Sequence, residues 1–196
     1  MDKKTRLFVI TEISQSFLLK EKLLEDEFVN IIYNIGRAII RAFRNNRKAI
    51  LFGNGGSAAD AQHITAELVG RYQCERIGLP AIALTTNTSS LTAIGNDYSF
   101  QYIFARQIVA LGQKGDVAIG ITTSGKSLNV IEGLKEARHR GLTTVALTGK
   151  GGESLRKMVD YCLCVPSTDT PRIQEVHILI GHILCGMVER SLFKVK

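Results

Sequence analysis

Tryptophan is absent from this 196-residue chain, and proline occurs only three times. So little proline excludes a proline-rich linker, and no repeat or low-complexity segment divides the sequence. The four cysteines, Cys74, Cys162, Cys164 and Cys185, form no C-x-x-C pair. A chain of this length buries a full core without disulfides or metal. Cys162 and Cys164 flank one residue of an apparent strand, so both point to one face and are expected to pack as small hydrophobes. No apolar run approaches the ~18 residues of a membrane span. Lys3, Lys4 and Arg6 precede an apolar stretch interrupted by Glu12 and Gln15, without a small-residue cleavage site, so no signal peptide is expected. These absences predict a cytoplasmic protein with reduced thiols and no membrane partner.

Negative charge is in deficit: 25 Lys and Arg stand against 18 Asp and Glu, a formal net charge of +7. The densest basic patch is Arg37, Arg41, Arg44, Arg47 and Lys48. Its helical spacing reads as a solvated or subunit-facing helix edge, and no aromatic-rich signature accompanies it, so no nucleic-acid partner is expected. A phosphorylated metabolite would benefit from the same positive field.

What the chain does carry is concentrated between Lys48 and Gly70. A short apolar strand, Ala49–Phe52, runs into Gly53-Asn54-Gly55-Gly56-Ser57, and a helix opens near Ala58. Glycines there let the backbone turn tightly and approach a ligand, and the helix start offers free N–H groups to an anion. His63 and Glu67 follow four residues apart, about 40° from each other around the helix. An anion cradle followed by such a pair points to a site.

Two amphipathic helices, 5–25 and 27–46, are predicted to precede this unit. In the second, Phe28, Ile31, Ile32, Ile35, Ile39 and Phe43 recur at helical spacing. These helices are expected to cover a sheet face or a partner subunit. Further strands are predicted at Ala81–Leu84, Val117–Ile121, Thr143–Leu147 and Tyr161–Val165, with a polar connection over 85–97. Helices follow at about 100–111, from the loop after the third strand to about 140, and from Pro171 to about Phe193. Strands alternating with helices predict one α/β domain over residues 1–196: a three-layer sandwich with a five-stranded parallel sheet, helices on both faces and added N-terminal helices. In such sheets ligands bind beyond the carboxyl ends of the strands.

Gly120 to Ser127, GITTSGKS, formally matches the nucleotide P-loop pattern. Gly120, however, lies inside the apolar run VAIGI, and Asp160 precedes its strand instead of ending it, so no nucleotide is expected. The hydroxyls of Thr122, Thr123, Ser124 and Ser127 at a helix start suit a single terminal phosphate. The last helix, TPRIQEVHILIGHILCGMVERSLF, is mostly apolar yet carries Gln174, Glu175, His177 and His182. Gln174 and His182 lie about 12 Å apart along its axis. His177 reads as a satisfied core or surface residue. Two histidines, a glutamate and a glutamine would suit zinc with N and O ligands.

With these motifs in place, the chain resembles the sugar-isomerase (SIS) domain family, and within it the group acting on seven-carbon sugar phosphates. The carriers are GNGGSAADAQH at Gly53–His63, Glu67 in AELVGRY, LTAIGND at Leu91–Asp97, TSGKS at Thr123–Ser127, ALTGKGG at Ala146–Gly152 and RIQEVHILIGH at Arg172–His182. The resemblance implies conversion of sedoheptulose 7-phosphate to D-glycero-D-manno-heptose 7-phosphate through an enediol, the first step of bacterial heptose biosynthesis. It assigns the sugar to Asn54, Gly55, Gly56, Ser57, Asn96 and Asp97, and the phosphate to Thr122, Thr123, Ser124 and Ser127. Glu67 and Gln174 fall at the reacting end, with Glu67 as base and His182 as partner acid. Zinc falls to His63, Glu67, Gln174 and His182. The family implies a homotetramer with sites shared between subunits, which would account for apolar N-terminal helices. Non-catalytic relatives that bind the replication initiator lack the acid and base; here Glu67 and His182 are both present. A sugar-phosphate-responsive transcription factor would need a helix-turn-helix module ahead of the first strand, where residues 1–47 read as long helices.

Overall fold

The computed structural model describes residues 2–193. Two long helices lead: α1 (Lys3–Glu21) and α2 (Asp26–Arg44). Asp2 caps α1, its carboxylate accepting from the Thr5 amide at 2.9 Å. In α2, Asp26 and Glu27 fill the first turn while Arg41 and Arg44 fill the last, both matched to the helix dipole. The remaining chain is β1 (Ala49–Gly53), α3 (Gly56–Val69), β2 (Ala81–Ala83), α4 (Thr88–Asp97), α5 (Ile103–Leu111), β3 (Val117–Thr122), α6 (Leu128–His139), β4 (Thr143–Gly149), β5 (Tyr161–Val165) and α7 (Thr170–Leu192).

All strand pairs are parallel, in the order β2-β1-β3-β4-β5. Every residue of β1 and β3 is buried, as near-continuous apolar strands between two helical layers must be. One layer, α2, α3 and α7, packs Ile35, Ile39, Ile64, Ile180 and Leu184 onto Leu51, Ile119 and Leu147. The other, α5 and α6, packs Phe104, Ile108, Val130 and Leu134 onto Ile50, Phe52 and Ala146. The sheet is therefore the interior layer of an α/β sandwich. Because β2 lies on one side of β1 and β3 on the other, the chain reverses direction across the sheet between β1 and β3. In sheets of this kind that switch point, beyond the strands' carboxyl ends, is where ligands bind.

Several boundaries differ from the sequence reading. The connection 85–97, expected as irregular, contains α4, capped by Asn87, whose side chain accepts from the Ser90 amide. No residue of α4 is buried, so it has no apolar period to announce it. The helix expected over 100–111 starts as a 3₁₀ turn at Phe100–Tyr102, and the connection before β5 holds a 3₁₀ segment, Lys150–Lys157. The basic patch divides. Lys48 pairs with the fully buried Asp116 at 2.6 Å, while Arg37, Arg41 and Arg44 line a cleft between α2 and α7 with Arg190.

Candidate active site

Two loops meet at the switch point. In the first, Gly55 has φ +56°, a conformation open to glycine, and α3 starts directly behind it at Gly56, earlier than Ala58. Gly56 also has to be small: a Cβ there would strike the side-chain amide of Gln174 from α7. The second loop follows β3. Gly120 lies within the strand, where a Cβ would press on Val130 and Leu134, so it serves helix–strand packing and does not begin a phosphate turn. Thr122 Oγ1 and Ser127 Oγ are 3.1 Å apart, and Ser124 Oγ accepts from the Lys126 amide. Gly125, at φ +68°, lets the loop pass close to Gly152. Thr122, Thr123, Ser124 and Ser127 thus gather at the start of α6.

Asn129 couples the two loops and was not apparent in the sequence. Its amide and that of Asn54 exchange two hydrogen bonds of 2.8 and 2.9 Å, with Asn129 buried. Nothing in the spacing of these residues, 75 apart, signals that contact.

Contacts between α3 and α7 advance together along both helices. Gln174 meets Gly56, Gly181 meets Ile64, and His182 meets His63, so the helices run side by side in one direction. This brings His63 Nε2 to 3.0 Å from His182 Nε2 and 3.3 Å from Glu67 Oε1. Ligand atoms of the three residues lie within 4.8 Å of one another. Two imidazole nitrogens facing at 3.0 Å cannot both present lone pairs, so a proton or a cation belongs between them. Two imidazoles and a carboxylate also make a donor set that fits zinc. Gln174 sits about 12 Å back along α7, at the glycine turn. Asn96 and Asp97 end α4, exposed and hydrogen-bonded to each other at 2.9 Å; no contact links them to the His63–Glu67–His182 group.

The surroundings add groups that spacing alone did not reveal. Tyr72 stacks on the His182 ring, centroids 5.6 Å apart and planes 13° from parallel. Its backbone is fixed by Glu189, whose carboxylate accepts from the amides of Tyr72, Gln73 and Cys74 and from Arg76 Nε. Arg76 in turn donates to the carbonyls of Glu67, Leu68, Gly70 and Ile77. Burial pushes the Glu189 pKa up, but the three amides and the guanidinium together hold it down at about 2. One turn before His63, Asp60 has its pKa raised to about 6 by burial, opposed by His63, and its Oδ2 is buried without a partner. His177 is buried, as expected, but its ring nitrogens are unpartnered, and burial lowers its pKa to about 4. It is a core residue, though not a satisfied one.

A glycine turn and a hydroxyl loop at the switch point of a parallel sheet make this an α/β domain of the phosphate-binding class, and a family model of the SIS domain matches residues 16–149. The phosphoheptose isomerase of Sulfurimonas denitrificans is 51% identical over 95% of this chain and 96% of its own length. That of Roseiflexus sp. is 53% identical over 95% of this chain and 94% of its own length. The solved phosphoheptose isomerase of Neisseria gonorrhoeae superposes with a TM-score of 0.89 at 41% identity, covering 95% of this chain and 99% of that one. The chain belongs to the SIS domain family and, within it, to the phosphoheptose isomerases. The Vibrio vulnificus NanR protein, complexed with ManNAc-6P, shares the fold alone, at a TM-score of 0.65 and 16% identity.

Proposed function

We propose that the chain interconverts sedoheptulose 7-phosphate and D-glycero-D-manno-heptose 7-phosphate, the entry to bacterial heptose synthesis. The observation that carries this reading is the convergence of His63, Glu67 and His182 from α3, which starts at the glycine turn, and α7, whose Gln174 meets that turn. Relatives named phosphoheptose isomerase, about half identical over nearly the whole chain, support the substrate class.

The loop Thr122–Ser127 binds the phosphate through hydroxyls and the positive end of α6. Asn54, Gly55, Gly56 and Ser57, with Asn96 and Asp97, orient the sugar hydroxyls. Glu67 removes a proton from C1 of the ketose, giving an enediol, and returns a proton to C2. His182 transfers the accompanying proton between the two oxygens; general acid–base steps of this type each contribute about 10²–10⁴-fold. Tyr72 fixes the plane of the His182 ring, and Arg76 holds the backbone turn that carries Glu67. Zinc held by His63, Glu67 and His182 would polarise the sugar oxygens; Gln174, expected as a fourth ligand, lies about 12 Å back along α7 at the glycine turn and within one chain meets the sugar instead. The homotetramer, the use of residues 1–47 in assembly and the cytoplasmic setting belong to the same proposal; no helix among the described residues is long and apolar enough to cross a membrane.

The test is incubation with sedoheptulose 7-phosphate in D₂O, followed by NMR. Appearance of the aldoheptose phosphate with deuterium at C2 is expected. No conversion, with and without added zinc, would overturn the reading in favour of a sugar-phosphate-binding protein.

A further inference from the structure

We propose that Cys162 and Cys164 form an oxidant-responsive thiol pair, in which a hydroperoxide converts Cys164 to a sulfenic acid and Cys162 closes it to an intrachain disulfide. The two residues alternate along β5 and share one face, and their sulfurs stand 3.5 Å apart, in contact. β5 is the edge strand of the sheet. Beside it lies a surface cleft bordered by Glu27, Asn30, Asn34, Arg156 and both cysteines, which gives a small oxidant a path to the sulfurs. Arg156 lies over this cleft, held by Glu27 at 3.3 Å. The hydrogen-bonding contact between the two sulfurs, together with the Arg156 guanidinium, favours the thiolate at Cys164 despite its burial. Cys162 keeps its proton, its pKa raised by that same contact with Cys164. A low-pKa thiolate touching a second thiol is the arrangement in which sulfenic acid is captured as disulfide.

The chemistry balances. The Cys164 thiolate attacks the terminal peroxide oxygen; the S–O bond forms, the O–O bond breaks, and the leaving oxyanion takes a proton as water or alcohol. The Cys162 sulfur then attacks the Cys164 sulfur, the S–O bond breaks, and hydroxide leaves as water with the Cys162 proton. Two thiols lose two electrons, and one hydroperoxide gains them. Alternate residues of a strand have Cα atoms about 6.6 Å apart, at the long end of the range that a disulfide spans. Closure therefore puckers the edge strand, and a thiol reductant reopens it readily. Cys164 faces Thr148 in the ladder, and the next residue, Gly149, donates to the Thr123 carbonyl at 3.1 Å, so the pucker reaches the hydroxyl loop.

The experiment treats reduced full-length protein with hydrogen peroxide at neutral pH, alkylates the remaining thiols and digests with trypsin, which leaves both cysteines in the peptide Met158–Arg172. That peptide is expected to lose two hydrogens and resist alkylation. The change should come roughly tenfold faster than any loss at Cys185, a buried thiol whose burial pushes its pKa up to about 12. Dithiothreitol should restore it. Cys162→Ser should stop at a dimedone-reactive Cys164, and Cys164→Ser should leave Cys162 reduced over the same time. Equal reactivity of the pair and Cys185, disulfides between chains, or undiminished oxidation of Cys162 in Cys164→Ser would each overturn the proposal.

Discussion

Glu67 is placed by a partner one turn back on its own helix and by an arginine from the loop behind it. His63 lies 3.3 Å from its carboxylate, and Arg76 binds its carbonyl. Glu67→Gln keeps size and hydrogen-bonding shape but removes the proposed base, so kcat should fall by about 10²–10⁴. The affinity for sedoheptulose 7-phosphate, read by calorimetry, should change by only a few fold; full activity in the variant would exclude Glu67 as the base. Asn129 acts through Asn54 and is a positioning residue. Asn129→Ala leaves the Asn54 amide facing a gap at a buried site, which costs about 1–3 kcal/mol. Urea unfolding should show that loss, and KM should rise more than kcat falls. If Asn129→Asp, which keeps an acceptor, restores neither quantity even in part, the paired-amide account is wrong.

Between elements, the contact that decides the site is the one joining the end of α3 to α7 through Arg76 and Glu189, both almost fully buried. Removing one partner of such a pair strands the other's charge. Its pH dependence follows from the lowered Glu189 pKa. The unfolded chain takes up the proton near 4.5 and the folded chain only near 2. The contribution, about 3 kcal/mol, is therefore fully present above pH 4.5 and is lost as pH falls towards 2. The stability gap between the parent chain and Glu189→Gln should accordingly be largest at pH 7 and shrink by about half at pH 3. A gap independent of pH would show that Glu189 packs without its charge mattering. The same scale explains what the sequence could reveal. β1 and β3 were legible because both faces are buried and the run is apolar throughout, and His63 with Glu67 because one helix carries both. α4 was not, since none of its residues is fully buried and only Leu91 and Ile94 lean on the core. The meeting of His63 with His182 spans 119 residues and that of Asn54 with Asn129 spans 75, distances over which no local period carries information. Residue types alone foretold only that such groups exist.

For the whole molecule, α1 is the element that a single chain does not explain. Leu7, Phe8, Ile10, Ile13, Phe17 and Leu18 are all exposed, and Leu19 is its only buried residue. So many large apolar side chains left in solvent along one helix, interspersed with its charges, mark an interface. The proposed homotetramer would supply that interior from other copies of α1. Phe8 and Phe17 are 63% and 66% exposed in the chain, so charging them should spare the fold of each subunit. Burial of each phenyl in an interface contributes about 1.5–3 kcal/mol, repeated in every copy. The double variant Phe8→Glu with Phe17→Glu should therefore drop from four chains to one or two by light scattering, with its helical circular dichroism unchanged. Should its mass remain that of the parent, α1 is not the interface. Where it does dissociate, activity separates two assemblies. Loss of turnover in a folded monomer means that neighbouring chains complete the site around His63, Glu67 and His182, whereas an active monomer means that the loops and the two helices of one chain suffice.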